Sequence, residues 1–226
     1  GDVYKRQESF AADVAHELKN PLTSLRSASE TFIQAKNKKD QRQMIEIMFK
    51  DIGRIDRLIT DISFSSRLDA DLVRTKFENI DLFKLLENYI SIRATKLKYK
   101  IIHDQNETDI QFIGNSNKLV QVFDNLIDNS LSIIGKNCKI NIRVFSKGKK
   151  IFILFEDNGP GFPKNAINKI FDRFYTDRIN QKEFGKHSGL GLSISKQIIS
   201  AHNGDIFAEN IINDDKKIIG ARVNII

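Results

Sequence analysis

Phe10-Ala11-Ala12-Asp13-Val14-Ala15-His16-Glu17-Leu18-Lys19-Asn20-Pro21-Leu22-Thr23 has the spacing of a helix with two unlike faces. At about 100° per residue, Val14, Leu18, Leu22, Leu25 and Phe32 fall in one narrow stripe, and His16, Asn20 and Thr23 land on the opposite, wet face. The pattern predicts a helix from about Glu8 to Ala35. A second helix, from about Asp40 to Leu68, carries Met44, Ile47, Met48, Ile52, Ile55, Leu58, Ile59 and Ile62 over a much broader arc. The short polar turn from Lys36 to Asp40 makes the pair a helical hairpin. One hairpin cannot cover that much apolar surface, so a second copy completing a four-helix bundle is expected.

The remaining composition sets bounds. A chain of 226 residues with 40% apolar content can fill the cores of about two domains. No run approaches the ~18 consecutive apolar residues of a membrane helix, and there is no secretory signal. The chain begins Gly1-Asp2-Val3 without Met, so an anchor or sensor region upstream would not be visible here. A single cysteine, Cys138, rules out an internal disulfide and a multi-cysteine zinc site, and favours a reducing, cytosolic setting. The net charge of +7 is spread among acids along the chain, which reads as solvated faces and not as a nucleic-acid footprint.

Arg67 to Thr75 is charged and without helical periodicity, and the domain boundary is placed there: 1–70 as the helical hairpin, 76–226 as a second domain. Beyond it the pattern mixes short strands (Phe77–Ile80, Lys100–His103, Ile110–Ile113) with helices (Leu82–Lys96, Asn117–Ile134). A hairpin of Lys139–Ser146 and Lys150–Glu156 across Lys147-Gly148-Lys149 comes next, then a helix over Gly189–Ala201 and a closing hairpin, Asp205–Asn210 with Lys217–Ile225. This predicts a two-layer α+β sandwich.

Several groups of residues carry chemistry. A histidine on the wet face of a helix, His16, can offer a ring nitrogen to a phosphoryl group if an acceptor holds the other nitrogen; Glu17 is the adjacent candidate. Asn20, one turn on, shares that face and can orient a water, and Pro21 cannot donate to the Glu17 carbonyl, so it should bend the helix. Taken alone, the group reads first as an exposed surface histidine before a kink and decides nothing. Asn125 and Asn129 lie one turn apart on a helix, where neutral carbonyls suit hydrated Mg²⁺ and phosphate. In Asp157-Asn158-Gly159-Pro160-Gly161, a carboxylate ends an apolar strand and can accept from an exocyclic amine, while Gly159 and Gly161 let backbone pass close to a flat ring. Ser188-Gly189-Leu190-Gly191-Leu192 opens a helix whose free amides can face phosphates.

Together these residues resemble sensor histidine kinases, in family order and over nearly the whole chain from Glu8 to Ile226. Phe10–Thr23 is similar to the family's H-box, Asn125–Asn129 to its N-box, and Asp157–Gly161 and Ser188–Leu192 to its two glycine boxes. Ile170-Phe171-Asp172-Arg173-Phe174-Tyr175 resembles its phenylalanine box. The resemblance implies a dimeric phosphotransfer hairpin followed by an ATP-binding sandwich of the GHKL type. In it, His16 would be phosphorylated from Mg²⁺-ATP and would pass the group to an aspartate of a response-regulator receiver domain; Asn20 suggests a phosphatase activity toward that partner. Asn129 would be the magnesium ligand and Asn125 its phosphate-side neighbour, with Asp157 reading the adenine amine. Gly159, Gly161, Phe174, Ser188, Gly189, Leu190 and Gly191 would line the nucleotide, and Thr176 to His187 would form a lid. No nucleic-acid partner is expected, and membrane attachment would come only through a sensor region absent from this sequence, leaving a cytoplasmic domain of an inner-membrane protein.

The chain departs from the family pattern in three places. Lys186 and His187 stand where many relatives have two glycines, and Ser130-Leu131-Ser132-Ile133 stands where Ala-x-Lys-Tyr is common, removing a phosphate-contacting lysine that Lys186 or Arg178 can replace. Thr176 occupies a position that is frequently basic. Ala15–Ala28 most resembles the acid- and envelope-sensing kinases of alphaproteobacteria. Two rivals remain open from sequence: an ATPase of the wider superfamily, and a dimer scaffold with a decayed nucleotide site.

Overall fold

Two long helices open the chain, α1 (Asp2–Gln34) and α2 (Lys38–Arg74). The structure, a computed structural model, describes residues 2–74, 76–93, 98–103, 109–163, 165–175 and 189–226. α2 starts on Asn37, whose Oδ1 accepts from the Asp40 amide at 2.8 Å while its Nδ2 donates to the Asp40 carboxylate at 2.7 Å. A side-chain acceptor thus satisfies a backbone donor that the first turn leaves open. α1 runs through Pro21 as one helix. The predicted end of α2 at Leu68 is too early, because the helix continues over Asp69–Arg74. Ala70, Leu72 and Arg74 are good helix formers, so the loss of the apolar period does not by itself end the helix.

Two compact units result: Gly1–Leu68 grouped with Arg173–Leu190, and Asp69–Asp172 with Gly191–Ile226. In the hairpin, Ala28, Leu58 and the Pro21 side chain are buried. Leu22, predicted in the packed stripe, is 55% exposed, and Ile33, Ile45, Phe49, Ile52 and Ile59 are exposed as well. Two helices side by side shield only the facing flanks of their apolar arcs.

The second unit adds β1 (Glu78–Asp81), α3 (Leu82–Arg93), β2 (Lys98–His103), β3 (Gln111–Gly114), α4 (Ser116–Ile134), β4 (Lys139–Lys147), β5 (Lys150–Asp157), α5 (Gly191–Ala201), β6 (Ile206–Ile212) and β7 (Ile218–Ile225). β1 and β3 pair antiparallel, while the other strands form a sheet in the order β2-β4-β5-β7-β6, parallel only at β2-β4. Ile140, Ile142 and Val144 alternate inward along β4. Phe123 of α4 touches both Tyr89 of α3, at 5.6 Å between ring centroids, and Phe155 of β5, at 5.5 Å, so helices cover this face. The predicted α+β sandwich is the fold observed. On the sheet's other face, Glu156 is buried; burial alone would raise its carboxyl, but the Arg143 and Arg222 guanidiniums hold it below the usual range.

α5 starts at Gly191, two residues later than predicted. Gly189 has φ +73°, outside helical space, and a Cβ there would lie 2.8 Å from the Phe174 carbonyl carbon. His202 closes α5: its Nδ1 lies 2.8 Å from the Ile198 carbonyl, its Nε2 accepts from the Asn115 amide at 3.0 Å, and its ring stacks on Phe77.

Candidate functional site

Asp157 is the last residue of β5, and its carboxylate is held by three donors from different parts of the second unit. Oδ1 accepts from the amide of Gly159 at 2.9 Å and from that of Ala221, on β7, at 3.2 Å; Oδ2 accepts from the hydroxyl of Ser130, on α4, at 2.6 Å. The Gly159 bond comes from the turn itself, which folds back over the strand end. Asp157 lies in a recess also lined by Asn129, Ser130, Ile140, Phe155 and Phe162. One end of that recess is therefore polar and fixed while its walls are apolar, the usual make-up of a small-molecule site.

The glycine-rich loop after Asp157 is tied to β6 by one side chain. Asn210 accepts from the Phe162 amide through Oδ1 at 2.6 Å and donates to the Phe162 carbonyl through Nδ2 at 2.8 Å. Gly161 has φ +77°, and a Cβ there would lie 2.6 Å from Asn210 Oδ1. Only glycine lets the loop come this close. Cys138, also near Asp157, is buried, and burial, with the Asp157 carboxylate next, pushes its thiol up to about 11.

The two asparagines of α4 divide their work. Asn125 donates through Nδ2 to the Gly191 carbonyl at 2.9 Å and to Ser195 Oγ at 3.2 Å, which fixes the start of α5 against α4. Asn129 lines the recess, and its side-chain amide makes no hydrogen bond among the described residues. A half-buried amide without a protein partner suits an oxygen ligand for a nucleotide-borne Mg²⁺. No cluster of three or more His, Cys, Asp or Glu able to hold a metal occurs among the described residues.

In the first unit, His16 and Asn20 are exposed on α1. Glu17 lies partly buried, and its Oε2 accepts from Arg54 of α2 at 3.1 Å; the other oxygen makes no hydrogen bond among the described residues. Sequence adjacency singled out Glu17 for the imidazole and gave no hint of Arg54. Phe174 is buried with φ +59°, and Gly189 abuts its backbone. Leu190 is fully buried. Ser188, with Thr176, Arg178, Lys186, His187 and the rest of the expected lid, lies outside the described residues.

Sequence reasoning missed Ser130, Ala221, Asn210 and Arg54. Only Ser130 left a trace, as a departure from the expected alanine. The others act on residues far away in sequence, and no local pattern marks them.

Comparison with known proteins matches residues 6–71 to the His Kinase A (phospho-acceptor) domain and residues 114–225 to the histidine kinase-, DNA gyrase B- and HSP90-like ATPase domain. The sensor protein ChvG of Rhizobium meliloti is 44% identical over 225 residues, covering 95% of this chain and 39% of that protein. The sensor protein kinase WalK of Staphylococcus aureus is 32% identical over 215 residues, covering 92% of this chain and 52% of that protein. The chain thus spans about half or less of the length of these curated relatives. Among solved structures, histidine kinase ThkA, crystallised in complex with the response regulator TrrA, superposes with a TM-score of 0.67 at 22% identity, over 100% of this chain and 66% of that one.

Proposed function

The chain belongs to the sensor histidine kinases, with a phospho-acceptor domain followed by an ATPase domain, and from that premise we propose that it is an ATP-dependent protein-histidine kinase core whose phosphoacceptor is His16. The observation that carries this reading is the recess of the second unit, where Asp157 is held by three donors beside an Asn129 amide that makes no hydrogen bond among the described residues. Asp157 accepts from the exocyclic amine of adenine, and Gly159 and Gly161 let the loop pass over the ring. Asn129 would hold Mg²⁺, which neutralises charge on the phosphates when bound. Asn125, through its bond to the Gly191 carbonyl, holds the start of α5 against α4 on the phosphate side.

A bond forms between a ring nitrogen of His16 and the γ-phosphorus of ATP as the bridging β–γ oxygen leaves with ADP. Such a loose transition state asks the protein for position and charge more than for covalent help. The free oxygen of Glu17 accepts from the other imidazole nitrogen. Phosphohistidine then passes its phosphoryl group to an aspartate of a response-regulator receiver domain, and Asn20 orients a water for the reverse hydrolysis. The open apolar face of the hairpin, with Phe49 72% and Ile33 82% exposed, suits a second copy of the chain. No helix among the described residues is long and apolar enough to cross a membrane; attachment would come through sequence beyond this chain.

Incubating the chain with Mg²⁺ and γ-labelled ATP tests the reading. Acid-labile, alkali-stable label on the wild type, absent from His16→Gln, is the expected result. ATP turnover without protein label would replace the kinase reading with a plain ATPase.

A further inference from the structure

At the fixed end of the recess, Ser130 Oγ donates to Asp157 Oδ2 at 2.6 Å, and Ser130 is buried. A serine hydroxyl has one proton and two lone pairs. With its proton committed to a carboxylate, in a charge-assisted bond of the stronger kind, Ser130 has only acceptor capacity left to offer the recess. Asp157 also offers acceptors alone, and its other oxygen is filled by the Gly159 and Ala221 amides. We propose that Ser130 is a specificity-determining residue for the purine base, which with Asp157 forms a paired acceptor that admits a 6-amino purine and rejects a 6-oxo purine.

This inference rests on the nucleotide-binding reading of the same recess and deepens it. A 6-amino group brings hydrogens to both acceptors. A 6-oxo group brings an oxygen against both, and relief would require Ser130 to swing its proton away from Asp157, leaving Oδ2 without its donor. Unmatched acceptors in a partly buried site discriminate strongly because neither partner recovers its lost water. Alanine at position 130 removes one acceptor and frees Oδ2 to recruit a water that can turn its own hydrogen toward either purine.

The test is calorimetric titration of the full chain, wild type and Ser130→Ala, with ADP, IDP and the diphosphate of purine riboside, which has no 6-substituent. Alanine is the better helix former, so the variant should fold, and its melting temperature verifies this. The wild type should prefer ADP to IDP, and Ser130→Ala should shrink that preference by about tenfold, the upper end of the net value of one neutral hydrogen bond, while purine riboside diphosphate binds both proteins alike. An unchanged ADP-to-IDP ratio, or an equal loss for all three ligands, would overturn the inference while leaving nucleotide binding intact. Failure of the wild type to bind any of the three would overturn the nucleotide reading and this inference with it.

Discussion

The helical hairpin and the sandwich solve the problem of apolar surface in opposite ways. The sandwich closes on itself: Phe123, Ile127, Ile142 and Ile198 are fully buried, and Phe123 links two helices to the sheet. The hairpin leaves Leu22, Ile33, Phe49, Ile52 and Ile59 open. An apolar face of that extent on a protein in water marks a contact surface. The sandwich can therefore keep its site organised by its own bonds, whereas on the proposed reading the hairpin needs a second copy to complete the bundle that displays His16.

Changes that strike each unit separately sharpen this contrast. The largest effect is expected at the hairpin. Phe49→Asp places a carboxylate on each copy in an interface that would be dry; at several kcal/mol per uncompensated buried polar group, dimer affinity should fall by more than about 100-fold. Light scattering should show half the mass, with ADP binding by the sandwich retained. Phe123→Ala should do the reverse, costing roughly 3–5 kcal/mol of sandwich stability and lowering its melting transition by about 10 °C while the dimer survives. Asn210→Ala cuts both ties to Phe162 and should cost about 1–2 kcal/mol, weakening ADP binding because the loop after Asp157 loosens. The smallest effect concerns Cys138. With its thiol pushed from 9.0 to about 11, the folded state holds that proton more tightly than the unfolded chain. This stabilisation is intact below pH 9 and fades as pH rises from 9 to 11, and Cys138→Ala should remove that part of the decline. Alkylation of the native protein at pH 8 should be slow, and unfolding in urea should restore ordinary thiol rates.

Much of this was legible in the residues. Period-2 alternation at Ile140, Ile142 and Val144 located β4, and Gly148, in the left-handed region at φ +65°, closes the turn expected across Lys147-Gly148-Lys149. The ordered boxes singled out Asn129 and Asp157, which line one recess, and Gly161, which turns in the left-handed region, because such motifs are set by short-range spacing. What stayed hidden was long-range. Ser130 and Ala221 reach Asp157 across 27 and 64 residues, and no local spacing encodes such a meeting. Arg54 looked like one polar residue on a broad helical arc until the hairpin set it beside Glu17. The end of α2 was misjudged for a related reason: the helix runs on through Asp69–Arg74, where the sequence carries no apolar period to announce it.

The division of labour between the units is tested most directly by measuring ADP affinity and acid-labile label together in His16→Gln and Asp157→Asn. The prediction is that His16→Gln binds ADP as tightly as the wild type but carries no label, and that Asp157→Asn loses both. Label persisting on His16→Gln, or undiminished ADP binding by Asp157→Asn, would contradict it.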